Sequence, residues 1–175
     1  ERLTLEAVQS ADLKVKREAL RIVRVFGYAA ALPAVEAAVR GTDERLREAA
    51  AVALTAIDVP RADEILAALS RGPDGRVRST AMRAIGQAEL RTDARWLAAL
   101  DVLAAGTRDS DPWVRYYAVQ ALGRVGRRGV PPAHMGHPVL TRVQQLLADP
   151  AGQVRVAAVE ALAFVPREDA FDVLR

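Results

Sequence analysis

Asp111-Pro112-Trp113-Val114-Arg115-Tyr116-Tyr117-Ala118-Val119-Gln120-Ala121-Leu122-Gly123-Arg124-Val125-Gly126 is the clearest copy of a line that occurs five times in this chain. On the same frame the other copies begin at Asp12, Asp43, Asp74 and Ala151. A β-branched residue or Leu stands three places on: Val15, Leu46, Val77, Val114 and Val154. The spacings between these five are 31, 31, 37 and 40 residues. A basic residue follows each of them: Lys16, Arg47, Arg78, Arg115 and Arg155. An Ala then falls at 19, 50, 81, 118 and 158, and a larger apolar residue at Val23, Leu54, Ile85, Leu122 and Leu162. Offsets of one, three and four place these positions on one face of a helix. The small residue marks a helix pressed by neighbours on two sides, where added methylenes would overpack at roughly 1–3 kcal/mol.

The leading Asp predicts a helix N-cap, because its carboxylate accepts first-turn amides and suits the positive end of the helix dipole. Pro112 fits the first helical position, where no N–H is required. On this reading the fifth copy has its Asp-Pro at Asp149-Pro150, two residues upstream of the frame. Gly27 and Gly126 mark helix ends. Between these helices lie shorter amphipathic runs, at Leu3–Gln9, Pro33–Arg40, Asp63–Ser70, Ala94–Ala105 and Pro138–Ala148. Each supplies the first helix of a pair. No alternating β-branched run suggests a sheet. The expected fold is all-α: a right-handed α–α superhelix, a solenoid of about five helix-turn-helix repeats. One array covers 1–175, with repeats at about 1–28, 29–59, 60–90, 91–127 and 128–166 and a sixth beginning over 167–175.

The line Asp-x-x-Val-Arg-x-x-Ala-x-x-Ala-Leu-Gly-x-x-Gly resembles the short HEAT repeat of the phycobilisome-lyase type. Copies at 111–126, 74–89 and 151–165 carry most of it; those at 43–58 and 12–27 carry it with Thr55 and Arg24 in place of Gly. The resemblance implies that the basic residues form a structural ladder with the Asp of their own or the adjoining repeat. It implies a fold and leaves the role open, because this repeat serves proteins of many functions.

Composition narrows the functions. The chain has 175 residues, 51% hydrophobic and 5% aromatic, with 25 basic and 22 acidic residues. The sequence pI near 9.8 is mildly basic. Without Cys there are no disulfides, thiolate metal sites or Cys nucleophiles. No apolar run reaches the ~20 residues of a membrane span. The expectation is a cytoplasmic protein without membrane association. The chain opens on Glu1, so a trimmed N-terminus is expected, and a C-terminus that is trimmed or closes in a short cap.

Residues 127–138 read as a loop carrying His134 and His137. Two loop His without Cys or carboxylate partners fall short of a zinc ligand set, so no metal and no cofactor is expected. HEAT-repeat hydroxylases that bind two irons carry repeated His-Glu pairs, and neither His here precedes a Glu. Ser-His-Asp, P-loop and dinucleotide motifs are absent. No catalytic residue is assigned.

The remaining signal is a surface. The face of each second helix turned away from the packed positions holds Arg45 and Arg76, with Arg83, then Trp113, Tyr116 and Tyr117 in the fourth copy. In HEAT-like arrays the second helices line the concave side. Aromatics flanked by Arg have the composition of a protein-interface anchor. They also have that of a base-stacking platform beside phosphate contacts. A competing reading packs Trp113 and Tyr117 onto the loop or the neighbouring repeat and leaves the arginines solvated. The expectation is a non-catalytic scaffold that binds another protein with an acidic patch. Nucleic-acid binding and bilin-lyase-like chromophore handling stand as alternatives.

Overall fold

Four of the five expected Asp caps cap a helix, and this fixes where the long helices begin. The computed structural model describes residues 1–127 and 139–163. It runs α1 (Arg2–Ala7), α2 (Leu13–Phe26), a 3-10 turn at Ala29–Ala31, α3 (Leu32–Val39), α4 (Glu44–Ala56) and α5 (Pro60–Leu69). Then follow α6 (Gly75–Ile85), α7 (Asp93–Gly106), α8 (Pro112–Arg127), α9 (Val139–Gln145), a 3-10 turn at Leu146–Ala148 and α10 (Gly152–Leu162). Among the described residues there is no strand. No described helix is long and apolar enough to cross a membrane.

The caps are side-chain hydrogen bonds. Asp12 accepts from the amides of Lys14 and Val15, Asp43 from Leu46, Asp74 from Arg76 and Asp111 from Trp113. α2 stops because Gly27 turns left-handed, at φ 66°, a conformation an L side chain rarely adopts. The described part of α8 runs one residue past Gly126, to Arg127. One expectation needs correction: Asp149 is no displaced cap. α10 begins after Ala151, which makes no side-chain cap bond, and Asp149 has another task, described below.

The chain divides into two compact units, Glu1–Arg71 and Gly72–Arg175. In the first, α2 packs chiefly on α4, with α1 against α2 and α3 and α5 against α4. Ala19, Leu20, Val23, Val35, Leu54 and Ile57 are buried there. In the second, α8 lies between α6 and α10, with α7 against α8. Its core joins Met82, Ile85, Leu100, Leu103, Val114 and Leu122.

The recurring small residues are where backbones approach. A Cβ on Gly86 would lie 2.8 Å from the Cα of Ala121, and one on Gly123 3.2 Å from the Cα of Ala161. The Ala of one second helix therefore sits against the Gly of the helix before it. Bulk at either place would part the helices.

Candidate functional site

The start of α8 is held by a ladder of arginines and carboxylates. Arg78 donates from Nε and Nη2 to the two carboxylate oxygens of Asp109, at 2.7 and 2.8 Å. Its Nη1 donates to the carbonyls of Gly72 and Pro73 in the turn before its own helix. One repeat on, Arg115 donates in the same way to Asp149, at 2.8 Å twice, and to the carbonyls of Asp109 and Ser110. Arg155 repeats the carbonyl half, bonding Asp149 and Pro150. Each carboxylate also accepts the amide two residues ahead: Asp109 from Asp111, Asp149 from Ala151. Asp109 and Asp149 are thus equivalent rungs, three residues before the first residue of each helix. The bidentate fork gives strength and direction that a Lys could not.

Burial pushes the Asp109 carboxyl up. Arg78, the Asp111 amide and the Arg115 charge together outweigh that and hold it below the ordinary value of 3.8. The Arg115 hydrogen bonds hold Asp149 low as well, against burial. Both guanidinium groups are raised further, led by these same bonds. The ladder expected from the repeat pattern therefore exists at Arg78 and Arg115, and each rung reaches the adjoining repeat. Arg47 keeps only a bond to the Gly41 carbonyl, and its buried Nε has no partner.

This clamp presents an aromatic cluster. Trp113 stands at the second position of α8, its amide held by Asp111 at 2.8 Å. Its ring centroid is 5.7 Å from that of Tyr116, edge-on at 84°, and 6.3 Å from that of Tyr117. Tyr116 and Tyr117 meet edge to face at 4.9 Å. Both tyrosines pack against the core and are half-buried, whereas Trp113 is 53% exposed. The Arg83 guanidinium, from α6, lies 5.1 Å above the Tyr117 ring. A cation over a partly exposed ring is worth about 0.5–1 kcal/mol, a modest bias toward this placement. Gln120 donates to the Tyr116 hydroxyl at 3.1 Å, and Arg124 donates to Gln120 at 3.0 Å.

Of the six residues proposed from sequence, Trp113, Tyr116, Tyr117 and Arg83 come together. Arg76 lies on α6 two turns before Arg83 and is exposed. Arg45 is exposed on α4, in the other unit. Of the residues in the competing reading, Tyr117 packs, Trp113 is exposed, and Arg83 lies over the Tyr117 ring. Gln120 and Arg124, which orient Tyr116, were missed, although their spacing of four from 116 to 120 and 124 is the helical signal for such a chain. His134 and His137, and the sixth repeat, lie outside the described residues. Among the described residues no group of His, Asp and Glu could hold a metal ion.

A family model described as HEAT repeats matches residues 1–86 and 62–133. No curated protein matches the chain. Among solved structures, the complex of CpcE and CpcF of phycocyanin lyase from Nostoc sp. PCC7120 is similar, with TM-score 0.66 and 22% identity over 91% of this chain and 96% of that one. An engineered protein is similar at TM-score 0.63 and 21% identity, over 98% and 82% of the two chains. A designed armadillo repeat protein in complex with the peptide (KR)4 is similar at TM-score 0.61 and 15% identity, over 93% and 80%. At these identities the likeness is one of fold.

Proposed function

Since this chain belongs to the HEAT-repeat family, we propose that it is a non-catalytic scaffold that binds another protein through the exposed face of its second helices. Trp113 is the anchor, Tyr116 and Tyr117 its support, and Arg76 and Arg83 the basic flank. Arg45 is a further exposed basic residue on a second helix of the first unit. One observation carries the reading. A large indole sits more than half exposed on a helix start clamped by Arg78–Asp109 and Arg115–Asp149. A rigid aromatic held ready for contact loses little freedom on binding, which is what makes Trp and Tyr interface anchors.

The basic flank favours an acidic surface opposite it. It acts mainly on association rate and orientation, while the aromatic supplies affinity. The solved relatives support a polypeptide partner in kind: one is a complex of two proteins, and one holds a peptide. That peptide is basic, whereas the arginines here call for the opposite charge.

The test is retention of a partner on the immobilised protein from lysate, with and without nuclease, as a function of salt. Trp113→Ala should weaken binding by at least about 2 kcal/mol, roughly thirtyfold. Arg83→Glu should act chiefly through the salt dependence. Retention of nucleic acid, with log affinity falling steeply against log salt and little effect of Trp113, would overturn the proposal.

A further inference from the structure

Three side chains on α8 are joined by hydrogen bonds whose direction is fixed from one end. Arg124 donates from Nη2 to Oε1 of Gln120 at 3.0 Å, and Gln120 donates from Nε2 to the Tyr116 hydroxyl oxygen at 3.1 Å. A guanidinium has donors and no acceptor. It can bond only the carbonyl end of the Gln120 amide, so the NH2 end is turned toward Tyr116. An amide NH2 cannot accept. The Tyr116 oxygen therefore accepts, and its own proton points away from Gln120. Among the described residues no acceptor takes that proton.

The surface beside it is made of donors too. Trp113, 53% exposed, carries an indole N–H that can only donate. Arg83 lies 5.1 Å over Tyr117, and Arg76 is exposed on the same helix, α6. A partner group placed at the Tyr116 hydroxyl must accept a hydrogen bond, and the two arginines favour an anion there.

We infer, resting on the scaffold role proposed above, that Tyr116 donates to a side-chain carboxylate, Asp or Glu, in an extended segment of the partner. Gln120 and Arg124 set this preference without touching the partner. The Trp113 and Tyr116 rings are 5.7 Å apart, and alternate residues of an extended chain stand roughly 6.6 Å apart on one side. An apolar residue over Trp113 therefore brings the residue two places away to Tyr116. α8 lies between α6 and α10, so such a segment continues over a neighbouring helix on either side. The carboxylate is then that of a side chain and not of a chain end.

Phosphate would answer the same donors, but the rings do not suit a nucleic acid. They meet edge to face, at 84° and 70°, and the two tyrosines are half-buried. One ring is left open, whereas a base-stacking platform offers successive faces.

The experiment is selection of displayed random heptapeptides on the immobilised protein. Fluorescence anisotropy then compares the best binder with a copy whose acid is replaced by the matching amide. An acid two residues from an apolar residue should be enriched over the starting library. Replacing it should weaken binding roughly tenfold or more. Tyr116→Phe should erase the difference between the two peptides. Gln120→Glu should do the same, because a carboxylate at 120 accepts from both Arg124 and Tyr116 and turns the hydroxyl proton inward. The double variant Tyr116→Phe/Gln120→Glu should match Tyr116→Phe alone, whereas a charge at 120 acting directly on the peptide would add to it. Circular dichroism should be unchanged in all three. Peptides that need Trp113 but bind equally well with the amide would overturn the carboxylate preference and leave the scaffold role standing. A preference that survives Tyr116→Phe, or additive effects in the double variant, would do likewise. Tighter retention of a single-stranded oligonucleotide than of the best peptide, peptides none of which depends on Trp113, or no enriched peptide at all would overturn both.

Discussion

Removing the Asp149 carboxylate isolates what the ladder contributes. Asp149→Ala deletes two charged hydrogen bonds from Arg115, at 2.8 Å each, and the acceptor for the Ala151 amide at 2.9 Å. It strands a guanidinium whose side chain is 12% exposed beside a carboxylate that is 5% exposed. Charged hydrogen bonds are worth about 1.5–3 kcal/mol each and do not add. One-sided removal of a fully buried pair costs about 3–5 kcal/mol. Arg115 keeps its bonds to the Asp109 and Ser110 carbonyls, so the lower part of that range applies, about 3 kcal/mol. The loss is local, because repeats contact only their neighbours. Amide hydrogen exchange should therefore quicken in α10 by about a hundredfold, while α2 keeps its protection. The double variant Arg115→Met/Asp149→Leu should cost less than Asp149→Ala alone, since no charge is stranded. An effect below about 1 kcal/mol in α10, or a double variant as costly as the sum of its parts, would refute a ladder that carries the junction.

Asp109→Ala should cost about as much as Asp149→Ala and act at α8, read by the same exchange experiment. Both carboxyls are depressed in the folded state. Their stabilisation is therefore fully present above the ordinary value of 3.8 and is lost as pH falls through the folded values below it. Urea unfolding across a pH series should show the second unit's stability falling only in that acid window. Gly86→Ala should destabilise by about 1–3 kcal/mol, because the new methyl meets the Ala121 backbone. Gly123→Ala, with a 3.2 Å approach, should come out near neutral as helix propensity offsets the tighter contact. Equal urea midpoints for the two would contradict that ordering. Trp113→Ala should leave the urea midpoint almost unchanged, as expected of a side chain that touches solvent more than core.

The helix pairs were legible because each repeated position answers one physical need: a cap, a small contact point, a knob. Trp113 was legible for the opposite reason, as a large apolar residue where the frame predicts solvent. The rungs were harder to see. Asp109-Ser110-Asp111 offers two carboxylates to one helix start, and local reasoning assigns only the nearer. In the fifth copy the rung stands alone as Asp149, which made it look like a cap out of place. The separations of 31 and 34 residues from Arg78 to Asp109 and Arg115 to Asp149 hold the signal. It appears only when one repeat is read against the next. The packing of Tyr116 was illegible for a related reason, and that of Tyr117 stood only as a competing reading, because both depend on neighbouring helices rather than on α8 alone.

Site-specific photocrosslinking tests the binding claim most directly. A benzoylphenylalanine placed at position 113 is compared with one at Leu97, which is similarly exposed on α7. A discrete, nuclease-resistant protein adduct is expected from position 113 and none from 97. No adduct at 113, equal adducts at both positions, or an adduct that disappears with nuclease would contradict it.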